Sequence, residues 1–317
     1  MNGQMPFNYV KNDLDDQFER IPTTFSQNFF YQFSVTGVSK NEIIRMRNSG
    51  KLTDRDLKIS ILLFKQTFAT AKQIGDYLGE EEYHIRSRLR ELVKRRVLNS
   101  FYLSEFEMKQ SVRDAMIIYC LDFGGKYLVS HYGGEDTSDW YSTDNMMGSD
   151  LVARHLISTQ FFVNLHKSAG ESVVHFRKKP PMKVEKKHLT PDFEFTLDVD
   201  FTQKYLIGEI VLDGDESLSF RDQAFKLDYL LTTNAWRKYH YNDDEPPVLI
   251  IIAENDVVAR NAAVVLNRAT KIDNRKVLLT TFERMSKPFY EKGVFLIYDP
   301  ETNKLRNVIV NSFKPQQ

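Results

Sequence analysis

The residues Leu52-Thr53-Asp54-Arg55-Asp56 begin the most regular part of this chain. Thr53 is a residue type that caps helices, and Asp56 follows it at the three-residue spacing of a capping box. The apolar pattern that comes next predicts a helix from Leu57 to about Thr67. An ordered helical segment therefore starts here, and the sequence after it repeats the same kind of signal twice.

Two further helices are predicted directly after the first one. Thr70 is placed to cap residues 71–78, and Gly79 can supply the left-handed turn that ends them. From Glu81 to Arg96, apolar side chains recur at helical spacing on one face. The rest of that third helix carries the basic side chains Arg86, Arg88, Arg90 and Lys94. Such a helix packs with one face and offers guanidinium forks on the other.

Two strand-like segments follow the third helix. Residues 97–103 and 114–121 are apolar, and the polar loop between them contains Lys109 and Arg113. Three helices followed by such a hairpin are typical of a winged helix-turn-helix, in which the third helix enters the major groove and the wing touches phosphate. We therefore predict a winged helix-turn-helix DNA-binding domain over residues 51–132.

The predicted DNA contacts lie on the third helix and in the wing. Arginine reads guanine edges bidentately, and lysine binds phosphate. The candidate DNA-binding residues are Tyr83, His84, Arg86, Ser87, Arg88, Arg90, Lys94, Lys109 and Arg113. One alternative is a solvated helix face, because acidic residues such as Glu81 and Glu91 stand among the arginines. A protein-docking role, which winged helices also serve, is another.

The composition limits the classes of protein to which this chain can belong. Its 317 residues, of which 42% are hydrophobic, suffice for two cores. Lysine plus arginine and aspartate plus glutamate both number 43, so attraction to nucleic acid must come from local patches. The one cysteine, Cys120, excludes an internal disulfide. The sequence has no apolar run near the ~20 residues of a membrane helix and begins with polar residues, so we expect a cytoplasmic protein without a membrane partner.

Changes in composition divide the chain into four parts. We predict an N-terminal arm with a short helix over residues 1–50, the winged helix over 51–132, a polar, glycine-containing linker over 133–148 and a second domain over 149–317. Regulators of this architecture commonly read two half-sites as a dimer, and we expect a homodimer. Some aromatic residues of the arm have no obvious place in either domain, and we expect them to contribute to it. They are Phe25, Phe29, Phe30, Tyr31 and Phe33.

The second domain has the pattern of an α/β core with a central mixed sheet. A helix is predicted over residues 150–167, and the strands predicted at 190–198 and 204–213 can pair as a hairpin. In such a hairpin Asp192 and Glu209 would lie side by side near one end. Paired carboxylates on adjacent strands provide the oxygen ligands that Mg²⁺ prefers.

This arrangement resembles the PD-(D/E)xK nuclease fold, in which a Pro-Asp on one strand and an acidic residue plus lysine on the next bind metal and activate water. Pro191-Asp192 and Glu209 match the motif, but Val211 stands where the lysine would be. Lys226, on a helix predicted over residues 218–231, is the one nearby lysine that could replace it. We therefore interpret Asp192, Glu209 and Lys226 as a catalytic or metal-site remnant, and we expect the domain not to cut DNA.

The order of motifs over about residues 51–270 resembles the replication-relaxation family of plasmids and integrative elements. The matching pieces are Leu52-Thr53-Asp54-Arg55-Asp56, Tyr102-Leu103, Gly125-Lys126-Tyr127-Leu128, His155, Thr190-Pro191-Asp192, Gly208-Glu209, Glu216, Lys226 and Tyr229. The resemblance implies a role in maintenance or transfer of a mobile element, with DNA as the partner.

A basic segment before Asp192 adds candidate contacts to the phosphate backbone. They are Lys178, Lys179, Lys183, Lys186 and Lys187, and the alternative is a solvated loop. The sequence thus favours a double-stranded-DNA-binding protein of a mobile element, acting as transcriptional regulator or as replication or transfer factor, without a cofactor. One alternative is a Mg²⁺-dependent endonuclease targeted by the winged helix. Another is a protein-interaction adaptor that needs neither chemistry nor DNA.

Overall fold

The computed structural model describes residues 4–8, 18–19, 25–31, 37–105, 116–184, 187–199, 202–215, 219–239 and 245–314. Over these residues the fold is α+β, with eight α-helices and a large mixed sheet. Internal contacts divide the chain into two compact units, residues 1–160 and 161–317. Across the described ranges, none of the helices has the length and apolarity that a membrane crossing requires.

The first unit combines helices with a four-stranded sheet. Its elements are β1 (Gln4–Asn8), β2 (Phe18–Glu19), β3 (Phe25–Phe29), α1 (Lys40–Asn48), α2 (Asp54–Gln66), β4 (Phe68–Thr70), α3 (Ala71–Leu78), α4 (Glu82–Lys94), β5 (Leu98–Glu105), β6 (Ile118–Leu121), α5 (Phe123–Tyr132) and the first part of α6 (Ser149–Ala169). The sheet has the order β3-β5-β6-β4, and its pairs are antiparallel. The three helices predicted between residues 57 and 96 are confirmed as α2, α3 and α4.

Capping residues explain where α2 and α3 begin and where α3 ends. The Thr53 backbone N–H donates to Asp56 Oδ2 over 2.7 Å, which is half of the predicted capping box. Thr70 and Gln73 cap α3 reciprocally, at 3.0 and 3.2 Å. Gly79 ends that helix with a φ of 71°, the left-handed conformation that glycine adopts without steric cost.

Strand β3 and residues 133–148 both contact the rest of the first unit. β3 pairs with β5, and the rings of Phe29 and Phe101 lie 4.8 Å apart. β3 lies within residues 1–50, for which the sequence predicts an arm with a short helix, while Phe33 lies outside the described residues. Within residues 133–148, placed in a linker by the sequence, buried Asn145 donates to the Leu121 carbonyl over 3.1 Å.

The second unit is built on a seven-stranded mixed sheet. After α6 its elements are β7 (Val173–Lys178), β8 (Met182–Val184), β9 (Lys187–Leu189), β10 (Phe193–Val199), β11 (Thr202–Val211), α7 (Ser219–Thr232), β12 (Val248–Ala253), α8 (Asp256–Ala269), β13 (Val277–Thr281), β14 (Phe295–Asp299) and β15 (Lys304–Val308). The sheet order is β15-β14-β13-β12-β11-β10-β7, with β11, β12 and β13 parallel at its centre. The predicted hairpin is confirmed, because β10 and β11 pair antiparallel.

Both faces of the central strands are covered. α7 and α8 pack on one face over a core that contains Ile207, Val211 and Ile251. The other face carries an aromatic cluster in which the Phe161 and Phe193 rings lie 4.8 Å apart. The members of this cluster are Phe161, Phe176, Phe193, Phe195, Phe289, Phe295 and Phe313. Gly208 leaves room for it, since a Cβ there would lie 2.0 Å from the Phe193 ring.

Candidate nucleic-acid interface and carboxylate pair

Helix α4 divides into a buried face and an exposed face. Ile85, Leu89 and Leu92 are fully buried, and Val93 is nearly so. These positions recur every three or four residues, as expected of a helix that packs along one side. The side chains between them decide what the helix presents to solvent.

Two of the predicted DNA-contacting arginines form ion pairs within the first unit. Arg86 Nη2 lies 2.7 Å from Glu82 Oε1, one turn earlier on the same helix. Arg88 donates through Nε to Asp56 Oδ1 over 2.8 Å and through Nη2 to the Lys51 carbonyl, also over 2.8 Å. Asp56 is completely buried. The Arg88 guanidinium therefore binds the helix cap rather than pointing to solvent.

Asp56 is both the capping residue of α2 and the acceptor for Arg88. Burial opposes its charge, but hydrogen bonds from Arg88 and from the Thr53 backbone outweigh burial and hold the pKa of Asp56 below its ordinary value. The hydrogen bond with Asp56 in turn raises the pKa of Arg88. Their contact joins α4 to the start of α2 and so fixes the orientation of α4.

The exposed face of α4 carries a stripe of four polar side chains. Tyr83, Ser87, Arg90 and Lys94 are all exposed, and their spacing of four, three and four residues aligns them along the helix. We call them the exposed stripe. Tyr83 is 81% exposed, and His84 lies beside it with ring centroids 5.7 Å apart. Within the described residues, neither Arg90 nor Lys94 forms an ion pair, so the stripe carries two cations available to a ligand.

Two predicted contacts cannot be placed. Lys109 and Arg113 fall between β5 and β6 in the sequence, within residues 106–115, which lie outside the described part of the chain. The strands that flank this loop are paired from Leu98↔Leu121 to Phe101↔Ile118. The prediction that the loop touches phosphate therefore stays a prediction.

In the second unit, Asp192 and Glu209 are brought together at one end of β10 and β11. Phe193 pairs with Gly208, so the residues just beyond them in the ladder face each other. Asp192 is 3% and Glu209 5% exposed. Asp192 Oδ2 accepts the Ile210 backbone N–H over 2.7 Å, which confirms that its side chain reaches the neighbouring strand.

The lysine at this pair is one that the motif analysis did not select for it. Lys179 follows β7, and its ammonium forms an ion pair with Asp192 Oδ1. Its backbone N–H also donates to the Asp192 carbonyl over 3.0 Å. Lys226 instead pairs over 2.7 Å with Asp222, one turn earlier on α7. Sequence spacing could not single out Lys179, because the contact depends on how β7 pairs with β10.

Gln223 is a second residue that the sequence analysis missed. It lies on α7, and its side-chain amide donates to Glu209 Oε1 over 3.0 Å. The sequence feature that could have identified Gln223 is its position in the helix that follows β11. Its amide group supplies hydrogen bonds but no charge, so it satisfies the glutamate without neutralising it.

The other candidate backbone contacts are dispersed over different local structures. Lys178 lies in β7, where burial and the neighbouring Lys179 lower its pKa well below the ordinary value. Lys183 is exposed in the short hairpin of β8 and β9, and its backbone N–H donates to the Tyr239 hydroxyl over 2.5 Å. Lys187 begins β9, and Lys186 lies outside the described residues. The structure thus leaves Lys183 as the clearest surface cation of this set.

The carboxylate pair does not fit a Mg²⁺ site. Mg²⁺ needs open oxygen ligands in octahedral geometry, whereas Asp192 is bound through one oxygen to an ammonium and through the other to a backbone N–H. Within the described residues, three or more acidic, histidine or cysteine side chains nowhere come together as a metal site would require. The carboxylates therefore act as acceptors of internal hydrogen bonds and ion pairs.

Comparison with known proteins yields no relative for this chain. No family model matches it, and neither a curated protein nor a solved structure does so.

Proposed function

We propose that this chain binds double-stranded DNA through helix α4, with α2–α4 and the strands β4, β5 and β6 acting as a winged helix-turn-helix. The observation that carries the proposal is the exposed stripe of Tyr83, Ser87, Arg90 and Lys94 on the third helix. In a winged helix the third helix lies in the major groove, so the stripe would face base edges and phosphates.

The different partners of the basic side chains of α4 support this proposal. Arg86 and Arg88 neutralise acidic neighbours, while Arg90 and Lys94 keep their charge at the surface. Arg90 is suited to a bidentate contact with guanine, and Lys94 to phosphate. Tyr83 and Ser87 supply hydroxyl groups that can hydrogen-bond to the phosphates of the DNA. A chain without net charge can bind DNA in this way because the positive charge is local.

The experiment replaces both stripe cations by alanine. We expect Arg90→Ala/Lys94→Ala to weaken binding to a labelled duplex by at least 10-fold, since each contact contributes about 1–3 kcal/mol. The magnitude of the slope of log K against log salt should fall by about 1, because Lys94 is the phosphate contact and Arg90 the base contact. Fluorescence anisotropy at several salt concentrations measures both quantities.

A matched control removes the same charge elsewhere. Arg260 and Arg268 are exposed on α8 of the second unit, so Arg260→Ala/Arg268→Ala changes the net charge equally. Affinity and salt slope should stay close to those of the unaltered chain. Equal losses in the two double variants, or unchanged affinity in the stripe variant, would contradict the proposal.

We propose further that the DNA belongs to a mobile element and that the chain acts as a regulator or as a replication or transfer factor. This part of the proposal depends on the resemblance of residues 51–270 to the replication-relaxation family. Binding-site selection from a fragment library of a plasmid that carries the gene tests it. Enrichment of an origin or promoter segment is the expected result, and uniform recovery of fragments is the contrary one.

The endonuclease alternative has no support from the carboxylate pair, whose oxygens already bind Lys179, Ile210 and Gln223. We expect no cleavage of supercoiled plasmid with Mg²⁺ or Mn²⁺, and near-normal DNA binding after Asp192→Ala. Gel electrophoresis of the plasmid measures nicking directly. Metal-dependent nicking that disappears in Asp192→Ala would make the chain an endonuclease.

A further inference from the structure

Asp192 and Glu209 place two carboxylates, each about 95% buried, at one end of the hairpin of β10 and β11. Buried charges in proteins are either paired with an opposite charge or bound to a metal. We propose that the ammonium of Lys179 is the resident cation of this pair, in place of a divalent ion. The second unit would then fold without a bound metal, whether or not the chain binds DNA.

The bonding around Asp192 is the first support. Its Oδ1 receives the Lys179 ammonium and its Oδ2 receives the Ile210 N–H over 2.7 Å. The Asp192 backbone carbonyl receives the Lys179 N–H over 3.0 Å. Lys179 is thus joined to Asp192 through both its backbone and its side chain, which fixes where the ammonium lies.

The backbone of Lys179 is the second, independent support. Its φ is 45°, in the left-handed region that residues other than glycine rarely adopt. It also precedes Pro180, and a residue before proline ordinarily adopts an extended conformation. Such a conformation persists only where the surroundings hold it, and here the two bonds to Asp192 do so. The strained backbone of Lys179 is therefore held by the same contacts that place its positive charge beside Asp192.

Glu209 gives the third support. Gln223 donates its amide to Glu209 Oε1 over 3.0 Å and also reaches the Thr190 carbonyl at 3.5 Å. This amide occupies a carboxylate oxygen that a divalent ion would otherwise bind. The Lys179 ammonium, the Gln223 amide and the Ile210 backbone N–H thus all bind oxygens of this pair.

The test uses the full chain and Mn²⁺ as the probe. We expect wild type to have the same Tm in EDTA and in Mn²⁺ and to bind no Mn²⁺ through Asp192. Lys179→Met should lower the Tm in EDTA by about 5–10 °C, because it removes the ion pair of the buried Asp192 carboxylate. Mn²⁺ should restore part of that loss. Differential scanning fluorimetry and electron paramagnetic resonance of Mn²⁺ give the two readouts.

A double variant separates loss of charge balance from loss of packing. Lys179→Met/Asp192→Asn removes both charges of the ion pair, so it should regain most of the Tm and show no response to Mn²⁺. This variant also decides the matter if Lys179→Met does not fold: a folded double variant supports the proposal, and an unfolded one overturns it. Wild-type binding of one Mn²⁺ that Asp192→Asn abolishes would likewise overturn the proposal.

Discussion

Asp56 carries two structural duties in one carboxylate. It caps α2 through the Thr53 N–H, and it binds Arg88 on α4. A buried carboxylate with both contacts is stable as an anion, which explains why its pKa is lowered despite burial. Arg88 thus contributes to the fold that presents the exposed stripe.

We predict that Arg88→Ala lowers the free energy of unfolding by about 2–4 kcal/mol at neutral pH, because it leaves a buried charge unpaired. The folded-state pKa of Asp56 is lowered, so its contribution is present above the unfolded pKa and is lost as pH falls through the folded pKa. The stability difference between wild type and Asp56→Asn should therefore shrink on acidification. Urea unfolding at neutral and acidic pH measures it.

The control for this prediction is the solvent-accessible pair of Glu82 and Arg86, whose side chains are 26% and 42% exposed. Glu82→Gln should change the unfolding free energy by less than about 1 kcal/mol, since exposed ion pairs contribute little. A difference between wild type and Asp56→Asn that stays constant from neutral to acidic pH would show that the charge of Asp56 is not what stabilises the fold.

Residue contacts show how far the sequence could predict the site. Thr53 and Asp56 are three residues apart, and their pattern alone predicted the cap. Arg88 lies 32 residues from Asp56, and its contact arises only from the packing of α4 against α2. For the same reason Lys179 could not be matched to Asp192, although the sequence placed Asp192 beside Glu209 correctly.

At the scale of elements, one buried side chain, Asn99, adds hydrogen bonds to those of the β3–β5 ladder. Asn99 donates to the Tyr31 carbonyl over 2.8 Å and accepts the Tyr31 N–H over 3.2 Å. Tyr31 in turn lies under the Arg96 guanidinium, 4.5 Å from its ring centroid. These contacts lie just beyond the end of β3 and fix its register on β5.

We predict that Asn99→Ala loosens β3 without disturbing α4. The change removes the hydrogen bonds to Tyr31 and should lower the unfolding free energy by about 1–3 kcal/mol. Hydrogen exchange should speed up in residues 25–31 and stay slow in residues 82–94. Exposed Asn267→Ala is the matched control and should leave exchange in both segments unaltered.

The elements also mark where sequence patterns were insufficient. Helices with caps, such as α3, were predicted almost to the residue, because capping is local. The pairing of β3 with β5 was not predicted. The two strands are separated by about 75 positions, and the residues of β3 have no polar-apolar alternation that would indicate the partner strand. Strand partners depend on tertiary packing.

At the scale of the whole molecule, the remaining prediction is assembly. Phe30 is 64% exposed, directly beyond β3, which is an edge strand of its sheet among the residues that the structure describes. An exposed aromatic beside an edge strand is a surface that a second copy can cover. We expect a homodimer of about 74 kDa, twice the chain mass of 37.1 kDa.

Light scattering on a size-exclusion column measures this mass. Phe30→Ser should shift the particle towards the monomer, whereas Phe225→Ser, at an exposed aromatic on α7, should not. A particle with the mass of one chain at micromolar concentration would rule the dimer out. If the dimer forms, the DNA affinities of the dimer and of the Phe30→Ser monomer show whether two half-sites are read together.

The single cysteine has a practical consequence. Cys120 is completely buried in β6, and burial raises its pKa well above the ordinary value. A thiol reagent attacks the thiolate and needs access, so it can react only when this sheet opens. The rate at which the reagent modifies Cys120 therefore reports how often the first unit opens, and mass spectrometry can measure it without an added label site. This rate should be higher in Asn99→Ala and lower when DNA is bound.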